Sequence, residues 1–164
     1  MIQEKYWKEF DQLKTHVNYI ELYFQSSVCI DRYLNIFVAI ASSGGVGAWL
    51  IWKEASYLWA CIIGLAQIFT VIKEFLPYKQ RIKVLPSLIY DLDQLANDTE
   101  ADWHAVANGD YTEVEINNLW HRVKKKKTDI VYKYLKSSSL PSSDKLMFKA
   151  EAVTSIYMKN FYSN

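Results

Sequence analysis

Cysteine is nearly absent: the chain has two, Cys29 and Cys61, with neither metal nor redox spacing. That excludes a disulfide framework, and both read as small apolar residues. Glycine is scarce at five residues, three of which (Gly44, Gly45, Gly47) lie inside an apolar run. No Gly-rich loop follows a strand, so neither a dinucleotide fold nor a phosphate loop is expected. A surplus of one charge sign is also missing. The net charge of +1 argues against a nucleic-acid duplex as partner, because phosphate contacts need a clear basic excess.

Catalytic ingredients are equally sparse. His16, His104 and His121 are scattered. Glu100 and His104, four apart, share a helical face, but such a lone pair reads as a surface ion pair rather than a metal site. Ser42 has no His or acid nearby in sequence to activate it. The expectation is therefore no enzyme, no cofactor, no metal and no catalytic residue.

What the chain does have is a pair of long apolar runs. Tyr33 to Trp52 carries no formal charge, and Ala55 to Ile72 carries none either; only Lys53 and Glu54 separate them. As helices these runs are roughly 30 Å long, the thickness of a bilayer's hydrocarbon core. In lipid, only a helix satisfies its own backbone groups. Residues 33–76 are thus expected to form a transmembrane hairpin, in preference to a soluble bundle that buries an apolar pair. Tyr33, Trp49, Trp52, Tyr57 and Trp59 sit at the run ends as interfacial anchors. Arg32, Lys73, Lys79, Arg81 and Lys83 lie on one side against Lys53 in the connecting loop, which places both termini in the cytoplasm. The first run starts too far from Met1 and is too long for a cleaved signal.

The flanks are amphipathic and helical, which makes the expected fold class all-α. Residues 1–32 form an N-terminal cytoplasmic helix with the stripe Tyr6, Phe10, Leu13, Val17, Ile20 and Phe24, continuing into the first span. Residues 77–164 form a C-terminal cytoplasmic helical region. Its first helix carries Leu85, Leu88, Ile89, Leu92, Leu95 and Ala96, and stops by Gly109. Thr112 and Glu115 have capping-box spacing and open the next, with Ile116, Leu119, Trp120, Val123, Ile130 and Tyr134. After the Ser-rich segment 137–143, a last helix from about Asp144 has the stripe Leu146, Ala150, Val153, Tyr157 and Phe161.

Within the runs, Ser43 with Gly47, and Gly44 with Ala48, permit close helix approach. Asn35 and Ser42 share a face, and Gln67 and Thr70 fall close to one. Such polar faces either fix helix–helix contacts or line a conduit. A two-helix hairpin has little interior of its own, so a homo-oligomer is expected. Lys124, Lys125, Lys126 and Lys127 point round more than a full turn and read as a solvated face, with an anionic ligand or the inner leaflet as the alternative.

The order of these parts resembles the SLATT family, two-transmembrane effectors of bacterial, anti-phage conflict systems. The resemblance covers roughly residues 5 to 107. It rests on the amphipathic helix, the first span with Ile40-Ala41-Ser42-Ser43-Gly44-Gly45, the short loop at Lys53-Glu54, the second span closing Gln67-Ile68-Phe69, and the Leu-rich helix that follows at once. It implies a multi-pass homo-oligomer in the bacterial inner membrane that permeabilises the membrane when a defence signal releases or triggers it. On this resemblance Asn35, Ser42, Gln67 and Thr70 are expected to face the conduit. Lys124 to Lys127 are expected to help bind a nucleotide second messenger or a separate nucleotide-generating or nucleotide-sensing protein. A non-conducting scaffold that recruits a soluble partner is the alternative.

Overall fold

The apolar stripe of the first residues is satisfied inside the chain. Tyr6, Leu13, Val17 and Ile20 are buried in one core with Leu85, Leu88, Leu92 and Leu95 and later residues, and Phe10 is buried against Trp7 and Tyr162. The computed structural model describes the backbone of residues 1–51, 56–75, 78–136 and 140–162, and the side chains of 1–41, 57–58, 60–72, 81–136 and 140–162. Among the described residues the chain forms five α-helices: α1 (Ile2–Ile51), α2 (Ser56–Phe75), α3 (Tyr78–Asn108), α4 (Glu113–Leu135) and α5 (Asp144–Tyr162). They divide into unit 1, Met1–Phe24 with Lys83–Asn164, and unit 2, Gln25–Ile82.

Unit 1 is a helical bundle built from the start of α1, most of α3, and α4 and α5. Its core takes Ile116, Leu119 and Val123 from α4 and Ala150 from α5. The antiparallel register of α3 and α4 is marked by a ladder of pairs: Asp102–Arg122 at 2.9 Å, Asp98–Lys126 at 4.0 Å and Asp91–Lys133 at 2.9 Å. The acids descend α3 as the bases ascend α4. Each such surface pair contributes about 0–1 kcal/mol, so the ladder selects register more than it adds stability.

The helix ends are where local sequence is most explicit. Thr112 caps α4 as the capping box requires: its hydroxyl oxygen accepts from the Glu115 amide, and its own amide donates to the Glu115 carboxylate at 2.8 Å. Those bonds hold the Glu115 carboxyl below the ordinary glutamate range. At the end of α3, Gly109 has φ +82°, with the Asp110 amide donating to Ala105 and the Gly109 amide to Val106. This is a Schellman motif, and it needs a residue free to adopt the left-handed region. A Cβ added at Gly109 would meet nothing within 4 Å. Gly109→Ala should therefore destabilise unit 1 by about 1 kcal/mol through backbone strain alone. Urea denaturation measures it; no shift in midpoint would refute the strain argument.

The last helix corrects the expected stripe. Ala150, Thr154 and Met158 are buried, whereas Val153 is 48% and Phe161 69% exposed. The reason is a polar contact. Asn18 on α1 donates to the Thr154 hydroxyl at 2.9 Å, so a threonine enters the interface and rotates the apolar residues partly outward.

Unit 2 contains the second half of α1 and α2. Their seam is made by small residues, Ala41 and Ala66 both being 2% exposed, with Phe37 and Phe69 edge to face at 6.2 Å. The first half of the expected path holds: α1 runs without a break from the amphipathic stripe into the apolar run. The transmembrane part of the expected fold class does not follow from the structure. Among the described residues no helix is long and apolar enough to cross a membrane. A span needs about 20 apolar residues, and the described side chains stop at Ala41 in the first run and cover 57–58 and 60–72 of the second. The side chains of Ser42, Ser43, Gly44, Gly45, Gly47, Ala48, Trp49, Trp59, Lys73 and Lys79, and the loop residues Trp52, Lys53 and Glu54, lie outside the described residues.

Candidate functional site

Among the described residues, the polar residues singled out by sequence in the two apolar runs do not form a closed site within one chain. Asn35 is exposed on α1, and its amide donates to the Asp31 carboxylate one turn earlier at 2.9 Å. Thr70 is exposed on α2, and its hydroxyl donates back to the Ala66 carbonyl at 2.8 Å. The Thr70 hydroxyl is thereby satisfied by its own helix, a bond that survives equally in water, protein or lipid. Gln67 is exposed and has no side-chain partner among the described residues. Ser42 lies on α1 with its side chain outside those residues. No described contact joins Asn35 to Gln67 or Thr70. Small side chains at the seam bring the two helices close and leave the polar groups on the outside.

The four lysines divide by role, as a helix demands of consecutive residues. Lys124 places its ammonium 4.5 Å from the centre of the Trp120 ring. Lys125 is exposed. Lys126 belongs to the ladder with Asp98. Lys127 turns inward to Glu9 of α1, donating to its carboxylate at 3.2 Å, and Glu9 is only 6% exposed. The same ammonium, with burial as the larger cause, keeps His16 below the ordinary histidine range.

Two of these lysines meet again at a cavity of about 410 Å³, together with Lys136 from the end of α4. Glu9, Thr128, Val131 and Tyr132 complete its lining. Lys136 is the C-cap residue of α4, with φ +48°, and its amide donates to the Tyr132 carbonyl at 2.9 Å. Sequence reasoning missed Glu9 and Lys136. Lys136 was legible as a basic residue at a helix end, but Glu9 carried no signal, since nothing local distinguishes it from the other charges beside the α1 stripe.

A larger cavity, about 540 Å³, lies between α1 and α5 and includes Asp11, Thr15, Glu151 and Lys159. Burial first, and then the Glu151 charge, raise the Asp11 carboxyl above the usual range. Beside it, Glu100 accepts from both the Tyr157 hydroxyl at 2.7 Å and the Tyr162 hydroxyl at 2.6 Å. Burial would raise the Glu100 carboxyl, but the two phenol bonds, with the Lys14 and His104 charges, outweigh it and hold it low. Tyr157 is correspondingly pushed up to about 12, by burial and then by that carboxylate. The expected Glu100–His104 pairing gives way to this clamp, while the His104 ring lies 6.1 Å from that of Tyr162. Among the described residues no group of three or more His, Cys, Asp or Glu is placed to hold a metal. Compared with known proteins, the chain matches no family model, no curated protein and no solved structure.

Proposed function

We propose that the chain is an oligomeric effector of the bacterial inner membrane. In this reading α1 and α2 insert as a hairpin with both termini in the cytoplasm, several copies surround a conduit, and unit 1 receives the signal that opens it. One observation carries the membrane part. On the described residues of the hairpin, Ile36, Ile40, Leu65, Ile68, Val71 and Ile72 are all exposed, Ile40 at 63% and Val71 at 59%. Exposed apolar residues recurring on both helices exceed what a monomer ordinarily leaves to water, and lipid or further copies would cover them. Alternating charged and apolar faces, as on the first turns of α1, are what water selects; the described side chains of α2 carry no formal charge.

The trigger in this proposal is a defence signal, in keeping with the resemblance to SLATT effectors, delivered by a nucleotide second messenger or by a separate protein that makes or senses one. Asn35, Ser42, Gln67 and Thr70 would face the conduit. Gln67 is the strongest of the four, because it is exposed and its amide has no partner among the described residues. The test is conductance of the purified, detergent-extracted protein in planar bilayers, with oligomeric mass measured on the same sample. Discrete current steps from a defined oligomer are expected, and Gln67→Leu should change unit conductance severalfold. Equal conductance from assembled Gln67→Leu and Ser42→Leu oligomers would remove the pore-lining role.

A second reading, a non-conducting membrane scaffold for a soluble partner, is favoured by α5. That helix leaves Phe148 73%, Ile156 62% and Phe161 69% exposed in unit 1. A silent but well-folded oligomer in the same bilayer measurement would favour it.

A further inference from the structure

We propose that unit 1 binds a phosphate-bearing anion in the cavity bordered by Lys124, Lys127 and Lys136. The proposal names a ligand chemistry for the regulated unit, and it rests on the effector reading only for what occupancy would do. The argument begins with charge. Three lysines line one cavity of about 410 Å³, and among the described residues the only acid lining it is Glu9. Lys127 is already committed to Glu9 at 3.2 Å, and among the described residues neither Lys124, whose ammonium lies over the Trp120 ring, nor Lys136 has a carboxylate partner. The carbonyl end of α4 opposes an anion with roughly half a charge. Two full charges that no described carboxylate neutralises exceed that.

The second observation is backbone strain at Lys136. A residue with a Cβ at φ +48° costs free energy at a helix end where glycine or asparagine would not. The strained residue is a lysine, and its side chain borders the cavity. Third, the remaining lining is apolar or aromatic, from Val131 and Tyr132, with Thr128 spending its hydroxyl on the Lys124 carbonyl at 2.9 Å. A volume of this size falls in the range of small-ligand sites. A phosphate with an apolar substituent matches both the cations and the ring. Lys125 and Lys126, although in the same run, are outside the cavity lining.

Such a phosphate could be a soluble ester or a lipid headgroup, and the experiment separates them. The full chain in a non-ionic detergent is titrated calorimetrically with inorganic pyrophosphate, and separately with monomeric dioctanoyl phosphatidylglycerol. Saturable binding is expected for at least one probe, about tenfold weaker in Lys124→Ala and in Lys136→Gly and unchanged in Lys125→Ala. Pyrophosphate binding identifies a soluble phosphate; binding of the lipid alone identifies a headgroup. Lys136→Gly gives a result that misfolding cannot imitate, since relief of the strained φ should raise the melting temperature while affinity falls. Glu9→Gln keeps an acceptor for Lys127 and should tighten binding severalfold. No binding of either probe, or affinity unchanged in both Lys124→Ala and Lys136→Gly, overturns the proposal. A silent bilayer recording would leave these titrations as they are, so failure of the conduit and failure of the site are separable.

Discussion

Phe10→Ala should lower the stability of unit 1 by about 3–5 kcal/mol. Phe10 is fully buried, in contact edge to face with Trp7 at 5.7 Å and with Tyr162 at 6.2 Å. It therefore joins the first turns of α1 to the last turn of α5, the two ends of the sequence. Truncation removes the transfer free energy of a benzyl group and leaves a cavity beside rings that are themselves held in place, Trp7 lying tilted against Trp103, on which Tyr6 is stacked. A loss of this size is a large fraction of the roughly 5–15 kcal/mol that holds an ordinary domain. Urea denaturation followed by tryptophan fluorescence is the measurement, with Phe148→Ala as the control. Phe148 is 73% exposed, so its truncation should stay within about 0.5 kcal/mol. Equal effects from the two phenylalanines would show that α1 is not packed in unit 1 as described.

Lys127→Ala should cost about 2–3 kcal/mol, far more than any other lysine of its run. The Glu9 side chain is 7% exposed and that of Lys127 21%, so removing the ammonium strands a carboxylate with little access to water. The 21% matters: partial hydration places the loss below that of a fully enclosed pair. The same logic predicts recovery. In the double variant Glu9→Leu with Lys127→Ala the stranded charge is gone, and most of the lost stability should return. Lys125→Ala, by contrast, should be silent. A double variant no more stable than Lys127→Ala alone would show that packing of the lysine stem, and not charge, accounts for the loss.

These two experiments probe the same junction from different directions. Phe10 and Glu9 are neighbours on α1, one facing the aromatic cluster near α5 and the other the α4 cavity. The start of α1 is therefore held on two sides, which is why the N-terminal stripe is buried within the chain instead of remaining open to a partner. Tyr19 adds a third tie farther along, donating to the Pro141 carbonyl at 2.6 Å in the connection between α4 and α5.

Periodicity and capping were enough to determine the helices. The stripe from Tyr6 to Ile20, the Leu series from Leu85 to Leu95, the Thr112–Glu115 box and the stop at Gly109 are each written within a few turns of chain, because backbone hydrogen bonds and caps are local interactions. The separation of an apolar hairpin from charged flanks was legible for the same reason. What pairs with what was decided only by tertiary structure. Glu9 finds Lys127, Glu100 is taken by Tyr157 and Tyr162 instead of His104, and Asn18 draws Thr154 into the core at the expense of Val153 and Phe161. Each of these joins residues far apart in sequence through a polar contact whose free energy depends on burial, and burial exists only once the helices have packed.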